Sequence, residues 1–155
     1  LKELFGRKIS QEYRYILEKH SGAYIKDYYY IHAVERTPLT DSDGWESIML
    51  FYPVHGENNI FEQYEMYSKQ LPEEYIPIGE MDGGNLVCVR KNVGQIYAWI
   101  HDTEDKDIFL IGKNMRKVIL SFQKVKKEYN DLSDGVVKVE LDEVFYNLLK
   151  GDNNE

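Results

Sequence analysis

The sequence contains one cysteine, Cys88, among its 155 residues, so it forms no internal disulfide. It also lacks any apolar run near the roughly 18 residues that a transmembrane helix needs. Its first ten residues, LKELFGRKIS, do not have the pattern of a secretory signal peptide. These absences argue against a secreted disulfide scaffold and against a transmembrane helix, and we expect a cytoplasmic protein.

The sequence also lacks a complete phosphate or nucleophile motif. The stretch EMDGGNLVCV, residues 80–89, places two glycines before an apolar run. A Walker-type loop needs a lysine and a following helix, whereas here a strand is predicted to follow Gly83 and Asp82 would repel a phosphate. We therefore predict a turn into a strand, in which Asp82 and Asn85 hydrogen-bond their own backbone. No Gly-x-Ser-x-Gly nucleophile elbow occurs.

Histidines and acidic residues are present but lack the spacing of metal sites. No two histidines are four residues apart, and there is no second cysteine for zinc. The segment DSDGWES, residues 41–47, begins like a calcium loop with Asp41 and Asp43, but the alternating ligand pattern ends after these two. The segment HDTEDKD, residues 101–107, lies where two predicted strands turn. We expect solvated loop acids, no metal and no cofactor.

Two alternatives involving chemistry remain open. His101 precedes Asp102, which could orient it as a general base, and Cys88 could face His101 across a hairpin. Against this, the neighbours of Cys88 are apolar, and a cysteine in such a strand behaves as a small hydrophobic side chain. The second alternative is an anion site at residues 112–116, where a strand leads into a helix N-terminus with two basic residues nearby. We predict that the protein is not an enzyme.

The charge is acidic and unevenly distributed. The formal net charge is -8, yet residues 113–127 hold six basic side chains and no acid. Without those six, 13 basic side chains stand against 27 acidic ones, a net charge of -14. We interpret the basic segment as a solvated helix face. The acidic remainder repels nucleic acid and attracts a basic protein, so we expect a protein partner and binding to neither nucleic acid nor membrane.

Aromatic residues are abundant, with 13 tyrosines in the chain. Tyrosine is favoured in strands and at interfaces, where its ring is buried and its hydroxyl stays hydrated. In QIYAWIH, residues 95–101, Tyr97 and Trp99 share one strand face, with His101 beyond them. The other face carries Ile96, Ala98 and Ile100 and is predicted to be core. The aromatic face is then either covered by a helix or a binding platform.

Hydrophobic periodicity predicts helices after Ser10, after Asn58 or Asn59, and after Gly112, with a further short helix over 141–149. Strands are predicted over 23–34, 45–54, 75–79, 86–90, 95–101, 107–111 and 136–140. The piece YIPIG, residues 75–79, is assigned to a sheet edge because Pro77 cannot donate a ladder hydrogen bond.

Together these elements predict an α+β fold with a mainly antiparallel or mixed sheet of about six strands and helices packed on one face. The chain length suits one domain, placed at residues 1–150, with a frayed C-terminal tail over 151–155.

Within this pattern, LPEEYIPIGEMDGGNLVCV followed by GQIYAWIHD resembles the signature of the SUKH superfamily. That superfamily comprises fungal cell-wall-synthesis regulators of the Smi/Knr type and many bacterial immunity proteins. Its members have a Leu-Pro pair before an extended piece, then an acidic-glycine-asparagine turn and a hairpin that ends in aromatic and acidic or histidine residues. The matching positions include Leu71, Pro72, Ile76, Pro77, Ile78, Asp82, Gly84, Asn85, Tyr97, Trp99, His101 and Asp102.

The resemblance covers most of residues 7–125, and the tail beyond Glu128 departs from the pattern. Upstream, SQEYRYILEKHSGAY matches the family's first motif at Tyr13, Leu17 and Gly22, although Ile9-Ser10 stands where the family has Leu-Pro.

The resemblance implies a partly exposed sheet, no catalytic residues and binding to proteins. Many bacterial members neutralise a toxin, often a nuclease, so we predict an immunity protein whose partner is a basic toxin domain. The alternatives are a regulatory scaffold for cell-wall or envelope synthesis and a small-ligand or anion sensor. The predicted partner-binding residues are Tyr97, Trp99, His101, Asp102, Asp82 and Glu80.

Overall fold

A computed structural model of the chain describes residues 1–6, 9–19 and 22–125. The helices in this part are α1 Lys2–Phe5, α2 Gln11–Lys19, α3 Ile60–Met66 and α4 Met115–Ser121. The strands are β1 Tyr29–His32, β2 Trp45–Glu46, β3 Ile48–Phe51, β4 Tyr75–Met81, β5 Leu86–Arg90, β6 Ile96–Trp99, β7 Ile108–Gly112 and β8 Gln123–Lys124. The strand and helix predicted over 136–140 and 141–149, and the predicted tail, lie outside the described residues.

The described strands form two antiparallel sheets. A five-stranded sheet has the order β3-β4-β5-β6-β7, and a three-stranded sheet has the order β2-β1-β8. The predicted α+β class with mainly antiparallel pairing is confirmed. The prediction placed about six strands in one sheet, whereas the structure divides its strands between two.

The β5–β6 hairpin forms as its sequence predicts. Cys88 pairs with Tyr97 and Leu86 pairs with Trp99, so these four side chains share one face of the sheet. The turn between the strands uses Asn92 and Gly94, whose φ values of 62° and 79° suit an amide and a glycine. Val87 and Ala98 lie on the opposite face and are fully buried.

The assignment of residues 75–79 to a sheet edge is wrong. β4 lies inside the sheet, between β3 and β5. Its ladder with β3 runs from Gly79 to Met81, and one further hydrogen bond joins the Tyr52 N–H to the Ile78 carbonyl at 2.9 Å, so Pro77 lies beyond the end of the neighbouring strand. A proline keeps a strand out of the interior of a sheet only where the neighbouring strand needs an N–H donor at that position. The β3–β4 ladder has no such need at Pro77.

Each long strand predicted before residue 55 is interrupted. Residues 23–34 contain β1 and a separate bridge from Tyr24 to Leu50, because Tyr28 has a φ of 74° that breaks the extended conformation. Residues 45–54 divide into β2 and β3, which belong to different sheets.

Local capping explains two of the helices. Asn59 caps α3 by accepting from the N–H groups of Phe61 and Glu62, and the Glu62 side chain accepts from the Asn59 N–H in return. At α2, the Ser10 hydroxyl accepts from the Tyr13 N–H at 3.1 Å. Both starts agree with the sequence prediction.

Helices contact both faces of the five-stranded sheet. The face that carries Ile96 and Val89 borders a cavity shared with Tyr13 of α2 and Met115 of α4. On the opposite face, Tyr67 at the C-cap of α3 packs edge-on against Trp99, with ring centroids 5.8 Å apart. This differs from the predicted packing on one face, and it determines which of the aromatic residues in β6 is accessible.

Candidate protein-binding site

The glycine turn after β4 is fixed by the side chain of Asn85, which is 5% exposed. Its Nδ2 donates to the carbonyl of Asp82 at 2.7 Å, and Gly83 and Gly84 adopt φ values of 72° and 77°. The prediction that Asn85 bonds the turn's own backbone is confirmed. Asp82 takes part in this bond through its main-chain carbonyl, and not through the side chain that was predicted to bond the turn.

The same amide joins this turn to the end of β6. Asn85 Oδ1 accepts from the His101 backbone N–H at 3.1 Å and lies 2.9 Å from His101 Nδ1. Because Asn85 Nδ2 is already donating to Asp82, the amide orientation makes His101 Nδ1 a donor. His101 Nε2 lies 3.3 Å from Asp102 Oδ2. The structure therefore brings together three of the predicted residues, Asp82, His101 and Asp102, at one end of the hairpin.

A third segment, residues 37–40, approaches these two turns and is tied to a buried carboxyl group. Glu46 is 1% exposed, and its Oε1 accepts from the hydroxyls of both Thr37 and Thr40. Thr37 also accepts from the Leu39 N–H at 3.0 Å through its hydroxyl. These bonds hold a segment without regular secondary structure in one conformation.

We define the acidic groove as the shallow cleft between this segment and the two turns. It is lined by Pro38, Leu39, Asp82, Gly83, Asn85, Ile100, Asp102 and Thr103. Asp102 is 86% exposed in its side chain, and no lysine or arginine is among the described residues that line the groove. The groove therefore combines an apolar surface with two carboxylates that face solvent.

The other three predicted residues lie elsewhere. Trp99 is 6% exposed, and its indole N–H donates to Asp107 at 3.3 Å. Tyr97 is half-buried near the hairpin tip, where its ring packs edge-on against Tyr75. Glu80 accepts from the Tyr52 hydroxyl at 2.9 Å, so its carboxylate is held within the fold. Of the two aromatic residues, only Tyr97 offers substantial surface to a partner.

His101 lies beside Asp102, as the general-base alternative requires, but the predicted Cys88–His101 pair and the predicted anion site find little support in this geometry. Cys88 is 1% exposed, burial raises the pKa of its thiol, and it pairs with Tyr97 rather than with His101. At the proposed anion corner, Asn114 caps α4 and its Oδ1 already accepts from the Lys117 N–H at 2.8 Å. The Cys88–His101 pair therefore does not form. At the N-terminus of α4, the Lys117 N–H already donates to Asn114 and is not free for an anion.

The calcium-like segment is a structural turn. Asp41 Oδ1 accepts from the backbone N–H groups of Asp43 and Trp45, at 3.0 and 2.8 Å. Within residues 1–6, 9–19 and 22–125, no three histidine, cysteine or acidic side chains group as a metal site requires. In that same part of the chain, no helix combines the length and apolarity needed to cross a membrane.

Sequence reasoning missed the wall formed by residues 37–40. The segment ERTPLTDSDG contains Pro38 and Leu39 among turn-forming residues, and Leu39 is 36% exposed. The sequence signal for this wall was Leu39, an apolar residue inside a polar loop. Its position opposite Asp82 depends on the Glu46 contacts, which sequence spacing does not show.

Comparison with known proteins gives one family match and one curated relative. The family model described as SMI1 / KNR4 family (SUKH-1) matches residues 1–122. A protein named "SPbeta prophage-derived uncharacterized protein YokK", from Bacillus subtilis (strain 168), is 28% identical over 160 residues. That alignment covers 92% of this chain and 83% of the relative.

No solved structure matches the chain. The family match spans most of the described residues, including the glycine turn and the hairpin that follows it. Because it extends over well more than half of the sequence, this chain belongs to the SMI1/KNR4 (SUKH-1) family.

Proposed function

We propose that this protein is an immunity-type protein that binds and neutralises a basic toxin domain. The observation that carries the proposal is the meeting of Asp82, His101 and Asp102 at one rigid end of the hairpin, beside the acidic groove. A charged surface of one sign speeds the encounter with a partner of opposite sign and selects against partners of like sign.

Two further facts support a binding role for this end. The turns are held by hydrogen bonds among Asp82, Asn85 and His101, so little conformational freedom is lost when a partner binds. The prophage origin in the relative's name fits a protein that acts between competing bacteria or phages. Family membership supplies the fold, and the partner itself is set by this chain's own surface.

Co-expression tests the proposal directly. The chain would be produced together with the C-terminal domain of a toxin-like protein encoded by an adjacent gene, and survival of the host cells would be measured. We expect protection and a stable complex on gel filtration. Absence of both would overturn the proposal.

A matched pair of variants separates specific neutralisation from improved growth. Asp82→Asn with Asp102→Asn removes two charges from the groove, whereas Glu18→Gln with Glu57→Gln removes two exposed acids elsewhere on the surface. We expect only the first variant to lose protection. An unbiased pull-down that recovers an envelope-synthesis protein and no toxin would contradict the immunity role and favour the regulatory scaffold.

A further inference from the structure

The acidic groove has a composition that selects one kind of side chain. Pro38 and Leu39 give it apolar surface above the buried Ile100, and Asp82 and Asp102 add carboxylates. An arginine has the matching form, since its aliphatic stem covers apolar surface while its planar guanidinium donates to carboxylates. On this basis, which rests on the proposed function, we propose that the groove receives one arginine side chain of the partner together with an apolar neighbour.

Charge complementarity favours this occupant because the basic residues closest in sequence to the groove are already engaged. Lys106 donates to Glu35 at 2.9 Å, and Arg36 donates to the Asp41 carbonyl at 2.7 Å. Among the described residues, neither Asp82 nor Asp102 lies within 4.0 Å of a lysine or arginine nitrogen in a salt bridge. The ionisable side chain beside Asp102 is His101, whose Nε2 lies 3.3 Å from Asp102 Oδ2 and whose ring is oriented by Asn85.

Both walls of the groove are set before a ligand arrives. Glu46 anchors Thr37 and Thr40 on either side of Pro38 and Leu39, and Asn85 anchors the opposite turns. A rigid receptor of this kind lowers the entropy loss on binding. An arginine that inserts there would act as a central anchor residue, a role in which arginine is enriched at protein interfaces.

The experiment uses the full chain labelled with ¹⁵N and an acetylated, amidated Leu-Arg-Leu peptide as the probe. We expect saturable shifts confined to the amides of Leu39, Gly83 and Thr103, with a dissociation constant on the order of 1 mM. A peptide with citrulline in place of arginine has the same shape without the charge. It should bind about tenfold more weakly, as expected for loss of a charge-assisted hydrogen bond.

Variants then locate the effect. Asp82→Asn and Asp102→Asn should each weaken binding of the arginine peptide about tenfold, and Asp105→Asn, an exposed acid outside the groove, should leave binding unchanged. Leu39→Ser tests the apolar wall without changing the charge. In this variant, the Leu-Arg-Leu peptide should lose part of its affinity advantage over a Gly-Arg-Gly peptide. The unperturbed remainder of each spectrum shows that the variant is folded.

Equal binding of the citrulline peptide, an equal loss in Asp105→Asn, or shifts spread across the acidic surface would each overturn the groove proposal. Its failure is distinct from failure of the immunity role. Protection in co-expression that survives Asp82→Asn and Asp102→Asn would leave the immunity role standing without the groove. Peptide binding without protection would do the reverse.

Discussion

The two ends of the β5–β6 hairpin use their charges in opposite ways. At the tip, Arg90 pairs with Glu74 at 3.5 Å, and Lys91 lies 4.0 Å from Glu73 and donates to the Tyr64 hydroxyl at 2.7 Å. At the other end, the carboxylates of the acidic groove have no lysine or arginine partner among the described residues. The basic side chains at the tip are satisfied within the fold.

This difference indicates where binding is expected. Exposed ion pairs contribute little to stability. The main effect of the pairs at the tip is that each basic side chain and its acidic partner cancel each other's charge. The carboxylates of the groove have no lysine or arginine partner among the described residues, so they gain more from a cationic partner than from solvent once the contact excludes water. We therefore expect a structural role for the tip and a binding role for the groove end.

The largest expected effect concerns the aromatic residues of β6. Trp99→Ala should lower the free energy of unfolding by about 4 kcal/mol, because it removes a buried ring that packs against Tyr67. Tyr97→Ala should cost less than about 2 kcal/mol, because that side chain is only half-buried. Urea denaturation measures both values. Equal losses would contradict the assignment of Trp99 to the core and Tyr97 to the surface.

The next comparison is between two amides. Asn85→Ala leaves the His101 N–H and the Asp82 carbonyl without their partner, and we expect a loss of about 3 kcal/mol. Gln95→Ala removes only the acceptor for the Tyr97 hydroxyl at the tip, and should cost below about 1 kcal/mol. Urea denaturation measures both losses of unfolding free energy. A loss at Asn85 no larger than that at Gln95 would mean that the groove end is not held as described.

The sequence predicted the hairpin, the Asn59 cap and the Asn85 turn because each depends on residues a few positions apart. It misplaced β4 because the effect of Pro77 depends on where β3 ends, which is a tertiary fact. It treated Tyr97 and Trp99 alike, since alternation places both on one face, and only the position of Tyr67 distinguishes them. The groove joins residues 38–39 to residues 82–85 and 100–103, a contact that no local pattern contains.

A smaller effect tests whether backbone geometry distinguishes the two ends. Gly84 and Gly94 have φ values of 77° and 79°, and no atom lies closer than 3.8 Å to a Cβ added at Gly84. Alanine at either position should therefore cost a similar amount, about 1 kcal/mol, from the left-handed conformation alone. Thermal unfolding of both variants is the measurement. A much larger loss in Gly84→Ala would show that the groove end is also sterically constrained.

The smallest effect is pH-dependent and concerns the contact that occupies Lys106. The Leu110 backbone N–H, followed by Lys106, lowers the pKa of Glu35 from its usual 4.5. Because its pKa is lower in the folded state, ionised Glu35 stabilises the protein above pH 4.5. That stabilisation is lost as the pH falls through the folded-state pKa. Because the Glu35 side chain is 42% exposed and solvent screens its contacts, Glu35→Gln should cost below about 1 kcal/mol at pH 7.

The stability difference between the wild type and Glu35→Gln should shrink as the pH is lowered below 4.5. Denaturation at a series of pH values measures it. A difference that stays constant from pH 7 to pH 3 would show that Glu35 does not hold Lys106 and Leu110 through its charge.

The most direct test of the account is calorimetric titration of the full chain with the C-terminal domain of a toxin-like protein encoded by an adjacent gene. Wild type, Asp82→Asn with Asp102→Asn, and Arg90→Gln with Lys91→Gln would be compared under the same salt conditions. We predict binding that weakens at least about tenfold in the groove variant and is unchanged in the tip variant. Equal weakening in both variants, or loss only at the tip, would contradict the claim that the acidic end of the hairpin is the binding surface.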